Sequence, residues 1–107
     1  MNRRVLILPL VVALLPATAA SASKTKTVSV KDDFFGVSSL TVKKGTTVKW
    51  VWAGESPHNV NVTKGPKKFR SDIMESGTYS RKLKKAGTYS LVCTVHQPDM
   101  KMTLVVK

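Results

Sequence analysis

The sequence predicts an all-β domain built as a sandwich or barrel. Short runs rich in β-branched and aromatic residues alternate with a period of two, and Gly, Pro, Asn and Asp turn signals separate them. No stretch after the first 22 residues keeps a helical period. About seven such runs at this spacing are typical of a β-sandwich or a β-barrel.

The first half of the domain contains four of these runs. Residues 25–30 form the first predicted strand and residues 40–42 the second. The third covers 46–52 after a turn at Gly45, and the fourth lies around 60–62. Because alternate side chains of a strand share a face, we expect Val28 and Val30 to share one face of the first strand, and Val48, Trp50 and Trp52 to share one face of the third.

The second half contains three more strands after an irregular segment. Residues 65–73 have no clear period and predict a loop. Strands are then expected at 78–83, at 87–93 and at 102–106. The last of these places Met102, Leu104 and Val106 on one face, which is the pattern of a strand that packs on a core.

The N-terminus has the three parts of a secretory signal peptide. A basic start at residues 1–4 precedes an apolar run at 5–15, and small residues follow. Two A-x-A patterns end at Ala19 and Ala22, so we predict a signal peptide over 1–22 and a mature domain over 23–107. The protein is then exported to a periplasmic or other extracytoplasmic compartment. The alternative, an uncleaved anchor, requires a longer apolar run of about 18 residues.

The charge balance is strongly basic. The chain has 18 Lys and Arg against 6 Asp and Glu, and removal of Arg3 and Arg4 leaves 16 against 6, a net charge of +10. Such a surface predicts a redox partner with an acidic docking surface, or loose association with an anionic membrane or cell wall. Nucleic acid is not expected, because the aromatic residues fall at alternating core positions and offer no stacking platform. We expect a monomer.

The chemistry of the chain is concentrated in a few residues. Cys93 is the only cysteine, so it forms no internal disulfide, and the chain has two histidines, His58 and His96. Cys93, His96 and Met100 fall within eight residues. Two imidazoles, one thiolate and a weak axial thioether are the ligands of a blue-copper electron-transfer site. A structural zinc site is the alternative, but it usually closes with Cys or His.

Each proposed ligand has an alternative interpretation. Cys93 could be a buried apolar side chain, and His58 or His96, taken alone, could be a loop histidine. Met102 competes with Met100 for the axial position. We favour Met100, because Met102 begins the alternating face of the last strand. Met74 is expected to pack against the core.

The ordered set of motifs resembles the cupredoxins, in particular the plastocyanin-like group with amicyanin and pseudoazurin. The resemblance covers residues 42–50 before the first histidine, the Pro57-His58-Asn59-Val60 motif, and the strand from Gly87 to Cys93 with its Cys-x-x-His loop. It implies a Greek-key β-sandwich of seven to eight strands and one copper ion that cycles between Cu(I) and Cu(II). The three residues between His96 and Met100 depart from the two or four that are common in this group.

The resemblance also implies the role of each site residue. His58, Cys93 and His96 match the equatorial copper ligands, and Met100 matches the axial ligand. Asn59 matches the residue that braces the ligand loop, with its backbone N–H directed at the thiolate, and His96 matches the electron port. The implied function is a one-electron carrier and not an enzyme. A periplasmic copper carrier or buffer protein would use the same ligands.

Overall fold

The computed structural model describes residues 24–107, so the predicted signal peptide and its cleavage site lie outside the described residues. Residues 24–107 form eight β-strands and no helix. No helix of this part of the chain is therefore long and apolar enough to cross a membrane. The strands are β1 (Thr25–Lys31), β2 (Phe34–Phe35), β3 (Ser39–Val42), β4 (Thr47–Trp52), β5 (Asn61–Lys64), β6 (Thr78–Lys82), β7 (Gly87–Val92) and β8 (Lys101–Val106).

The strands build two four-stranded sheets that pack as a sandwich. One sheet has the order β2-β1-β4-β6 and the other β3-β8-β7-β5. β1 pairs in parallel with β4, and β3 with β8, whereas the remaining pairs are antiparallel. Neighbouring strands are mostly distant in sequence, so the chain crosses repeatedly between the sheets. The all-β sandwich expected from the sequence is confirmed.

The core lies between the two sheets and follows the alternation of the strands. In β4 the burial pattern alternates along Thr47–Trp52, and Val48, Trp50 and Trp52 are buried together. Aromatic rings fill the centre: Trp50 lies 6.1 Å from Phe69 and 5.9 Å from Tyr79 between ring centroids. Phe69 also contacts Tyr89, at 6.1 Å between centroids. These tilted contacts are the arrangement that aromatic quadrupoles favour.

All seven predicted strands are present, with ends shifted by one or two residues. The prediction missed β2, whose two residues are too few to show a period. β2 forms because Asp32 and Asp33 make a two-residue turn that pairs Lys31 with Phe34. Asp33 has a φ of 70°, a left-handed conformation that Asp tolerates better than most residues. Met74 packs against the core as expected.

The sandwich has two distinct ends, defined by the strand registers. The upper end gathers the Asp32-Asp33 turn and the loops 53–60, 70–77 and 93–100. The lower end gathers the loops 43–46, 65–68 and 83–86 with Lys24 and Lys107. Thr25 pairs with Thr47, and Thr47 with Lys82, at the lower edge of one sheet. At the lower edge of the other sheet, Gly87 and Val42 both pair with Val106.

We predict that Leu104→Ala destabilises the domain far more than Val105→Ala. Leu104 is fully buried, whereas its neighbour on β8 points to the outer face and is partly exposed. Loss of the Leu104 side chain leaves a cavity that costs about 2–5 kcal/mol, against about 1 kcal/mol or less for Val105. The free energy of unfolding in urea measures both, and equal losses would contradict the assignment of faces.

Candidate metal centre

His58 is fixed at the upper end by its backbone. Its N–H donates to the carbonyl of Met74 at 2.9 Å, and the Met74 N–H donates back at 2.9 Å. The indole N–H of Trp52 donates to the His58 carbonyl at 3.1 Å. These three bonds join the loop that carries His58 to a second loop and to β4. The His58 side chain is fully buried, so its position is determined by the core.

Cys93 and His96 lie on one loop that folds back on itself. Cys93 directly follows β7, and its N–H donates to the carbonyl of Met100 at 2.9 Å. The His96 N–H donates to the Cys93 carbonyl at 3.2 Å, and the Met100 N–H donates to the His96 carbonyl at 3.1 Å. The loop therefore closes between Cys93 and Met100 and returns His96 to the thiol. Cys93 and Met100 are both fully buried.

The three side chains converge on a single point. The Nδ1 atoms of His58 and His96 each lie 3.7 Å from the Cys93 Sγ. The three ligand atoms are all within 4.8 Å of one another, and the two imidazole centroids are 4.9 Å apart. Metal bonds of about 2.1 Å to nitrogen and about 2.3 Å to sulfur, opened by 120°, separate N from S by about 3.8 Å. The observed separations therefore fit a trigonal metal ion.

Two adjacent carboxylates hold the outer edge of both imidazoles. The Nε2 of His58 lies 3.0 Å from the Asp32 Oδ1, and the Nε2 of His96 lies 3.1 Å from the Asp33 Oδ1. The Asp32 carboxylate accepts a hydrogen bond from the Nε2 of His58, which leaves the Nδ1 lone pair of that ring directed at Cys93. Asp33 contacts the Nε2 of His96 at ion-pair distance. A single turn thereby contacts both rings and contributes to their orientation.

Asp32 is itself held by backbone donors. Its carboxylate accepts from the Glu55 N–H at 3.0 Å and from the Ser56 N–H at 2.9 Å. The Glu55 N–H, then the His58 ring and the Ser56 N–H, hold the pKa of Asp32 at about 2, below its usual 3.8. These contacts therefore stabilise the metal-free fold above pH 3.8 and lose their effect as the pH falls through about 2. A Cβ at position 54 would collide with this carboxylate, which explains Gly54.

The comparison with protein families agrees with this geometry. The sequence profile of the cupredoxin-like domain matches residues 4–106. The chain belongs to the cupredoxin family. Cupredoxins of type 1 bind copper and carry single electrons, so copper is the cofactor of this protein and one-electron transfer is its function.

The curated relatives and the solved structures that this chain resembles include amicyanins. This cupredoxin is 34% identical over 92 residues to amicyanin-alpha of Methylorubrum extorquens, covering 82% of this chain and 74% of the relative. It is 36% identical over 72 residues to amicyanin of Paracoccus versutus, and this match covers 64% of this chain and 54% of the relative. A reduced amicyanin mutant superposes with a TM-score of 0.70 at 30% identity, and the match covers 83% of this chain and 88% of the mutant's chain. The Cu(I) form of another amicyanin mutant superposes with a TM-score of 0.70 at 31% identity, and the same shares of the two chains are covered.

The structure brings His58, Cys93 and His96 together and leaves their ligand roles as predictions. Met100 is buried at the end of the same loop. Met102 instead lies in β8 opposite Leu91 and faces the core, as its alternation predicts. The choice of Met100 as the axial ligand stays a prediction.

Asn59 braces the ligand loop through its side chain. The Asn59 Oδ1 accepts from the Thr94 N–H at 2.7 Å and from the Thr94 hydroxyl at 3.1 Å. Asn59 is buried, so this bond ties the residue after His58 to the residue after Cys93. The contact between the Asn59 N–H and the thiolate stays a prediction.

Sequence reasoning missed Asp32 and Asp33. They lie more than twenty residues before His58, on a turn that no motif marks. The one available signal is scarcity, because a chain with 6 acidic residues places two of them side by side. That signal becomes specific only when the β1–β4 pairing brings the turn to the upper end.

We predict that the two carboxylates raise metal affinity by orienting the rings. Asp32→Asn and Asp33→Ala should each weaken binding, by about 10–100-fold where the lost contact is dominant, with the larger loss for Asp32 because its partner is fully buried. Zn²⁺ affinity, measured by competition with a chromophoric chelator, tests this without redox chemistry. Glu75→Gln removes one charge from the same end and is the control; an equal loss there would show a general charge effect instead.

Proposed function

We propose that this cupredoxin holds one copper ion with the Nδ1 atoms of His58 and His96, the thiolate of Cys93 and the thioether of Met100. After export to a periplasmic or extracytoplasmic compartment, it carries single electrons between redox proteins. The observation that supports this proposal is the pair of 3.7 Å separations between the imidazole nitrogens and the Cys93 Sγ. The boundary between the signal peptide (1–22) and the mature domain (23–107) is part of the same proposal.

The donor set selects the metal. Thiolate and imidazole suit copper and other soft or borderline metals, and a long axial thioether favours a blue-copper site. Copper, when bound, supplies a one-electron couple between Cu(II) and Cu(I). All four proposed donors come from the protein, which leaves no open position for a substrate. We therefore propose a carrier and not an independent enzyme.

Burial of the site favours electron transfer over copper trafficking. His58, Cys93 and Met100 are fully buried, and backbone hydrogen bonds fix each of them on its loop. A ligand set held in this way changes little between two charge states, which keeps the reorganisation cost low. A carrier that hands its copper to another protein needs ligands that the acceptor can reach, and here His96 alone is exposed, at 30% of its side chain.

His96 is the proposed electron port. Exposed apolar side chains share its end of the molecule, at Phe34, Ile73 and Val95. A small apolar area around a partly exposed ligand suits a brief contact with a redox partner, because such contacts bury little surface. Electrons would then pass through the imidazole edge that reaches solvent.

A partner with an acidic surface, as the sequence predicts, would bind best at the lower end of this protein. The acidic side chains lie at the same end as the port, with Asp33 in contact with His96 at 3.1 Å, and would repel an acidic surface there. Most of the lysines lie away from this end of the molecule. We propose that acidic groups bind the lower end and that the redox partner contacts the port through apolar or basic groups. We also propose a monomer that binds no nucleic acid.

We predict that Cu(II) added to the purified protein produces an intense visible band from charge transfer between thiolate and copper. Cys93→Ser should abolish this band, because the thiolate is its source. Absorption of the two loaded proteins measures the effect. A colourless parent protein that nevertheless binds Cu(II) stoichiometrically would contradict a type 1 site.

We predict that Met100→Leu raises the reduction potential, whereas Met102→Leu leaves it nearly unchanged. Both substitutions remove a buried thioether at nearly constant volume, but only an axial donor stabilises Cu(II) directly. Cyclic voltammetry of both variants tests the assignment. A shift in Met102→Leu without one in Met100→Leu would make Met102 the axial ligand.

A further inference from the structure

The acidic residues of this chain all lie at the upper end. Asp32 and Asp33 form the turn beside the histidines, and Glu55 donates its N–H to Asp32. Asp72 and Glu75 flank Met74, which is bridged to His58. Asp99 belongs to the ligand loop. These are the 6 acidic residues of the sequence, and three cations share their end: Lys31, Arg70 and Lys101.

The lower end carries lysines and no acidic side chain. The described fold begins and ends here, at Lys24 and Lys107. The Lys24 carbonyl accepts from the N–H of Thr47 at the start of β4, and the Lys107 carbonyl accepts from the N–H of Lys44 in a lower loop. Every lysine of this end is exposed. We call the following set the basic face: Lys24, Lys43, Lys44, Lys67, Lys82, Lys84, Lys85 and Lys107.

The basic face includes a groove and lacks exposed apolar side chains. The groove has a volume of about 460 Å³, and its cationic lining residues are Lys67, Arg81, Lys82, Lys84 and Lys85. The large exposed apolar residues of the described chain are Phe34, Val37, Ile73 and Val95, all outside the loops of the lower end. Contacts at this face therefore depend on charge, and no large exposed apolar side chain is available there for insertion into a bilayer core.

Separation of the two ends makes them electrostatically independent. A six-residue strand such as β4 or β7 spans about 20 Å. The screening length at physiological ionic strength is about 8 Å. A surface that contacts the basic face therefore interacts with its lysines and hardly with the carboxylates around His96.

We infer that the basic face docks on the headgroups of an anionic lipid bilayer and turns the electron port away from it. Juxtamembrane lysines each contribute to attraction by an anionic leaflet. The predicted signal peptide, with its apolar run at 5–15, joins the fold through Lys24, so this face is also the one nearest the membrane during export. This inference rests on the proposed function in one respect, that the protein is exported and uses His96 as its port.

The consequence for electron transfer is a fixed orientation. A molecule bound through its lower end presents the apolar and acidic upper end to the aqueous space. Redox partners then meet His96 by diffusion along the membrane surface, while the anionic leaflet stays on the opposite side. The carboxylates around the port also oppose the reverse orientation, because they would face the anionic headgroups.

The test measures binding of the protein, purified as exported, to vesicles of phosphatidylcholine with or without phosphatidylglycerol. We expect binding to the anionic vesicles alone, lost at high salt and equal for the copper-loaded and metal-free protein. Lys84→Gln with Lys85→Gln should reduce binding by about 25-fold, since each lysine near the surface contributes about fivefold. Lys31→Gln with Lys101→Gln makes the same change in net charge at the upper end and should reduce it by less than twofold.

Equal losses in the two double variants would overturn the inference, because net charge alone would then govern binding. Binding to soluble polyphosphate without binding to anionic vesicles would overturn the bilayer as the partner. Orientation is tested by the rate at which a neutral soluble reductant reduces the copper-loaded protein. That rate should stay within twofold on vesicles, and a tenfold loss would show that the port faces the membrane. Failure of the visible copper band would refute the proposed function without changing the vesicle result.

Discussion

Two imidazole nitrogens have to face one thiol in a packed interior. Most of the contacts at the upper end hold these three groups in that arrangement. The two nitrogens come from different loops, and each stands 3.7 Å from the Cys93 Sγ. A bare cluster of this kind would be costly, because buried polar groups without partners destabilise a fold by about 1–3 kcal/mol each. The protein offsets this cost with acceptors: the Asp32 and Asp33 carboxylates contact the outer side of the imidazoles, and loop carbonyls accept from the backbone N–H groups of the site residues.

The sandwich makes this arrangement available because its loops from both sheets meet at one end. Asp32 comes from the sheet that contains β1, whereas Cys93 follows β7 in the opposite sheet. The bond between Asn59 and Thr94 then ties the loop of His58 to the loop of Cys93. His58 and His96 are thus each held by an aspartate from another part of the chain, so the site and the packing of the sheets stabilise each other.

The sequence was sufficient for the fold and for the cluster of His58, Cys93 and His96, and it failed where information is not periodic. Val48, Trp50 and Trp52 reveal a strand because burial repeats every second residue, and Cys93 is conspicuous because it stands alone. Phe34 and Phe35 show no repeat, so β2 was missed. Asp32 and Asp33 act through tertiary contacts with His58 and His96, and no spacing rule links a turn to histidines so far along the chain. The side of the molecule on which each charge lies likewise depends on strand register, which composition does not contain.

Net charge is therefore a poor guide to the electrostatics around His96. Residues 23–107 carry a formal +10, which taken alone would destabilise Cu(II) relative to Cu(I) and attract anions to any part of the surface. Coulomb energy falls with distance and is further screened beyond about 8 Å, so the lysines of the lower end contribute little at His96. The Asp32 and Asp33 carboxylates touch the histidines directly and favour the more positive oxidation state. A few nearby charges therefore outweigh many distant ones. For the same reason, the lower end can contact an anionic surface while the upper end keeps its acidic side chains near His96.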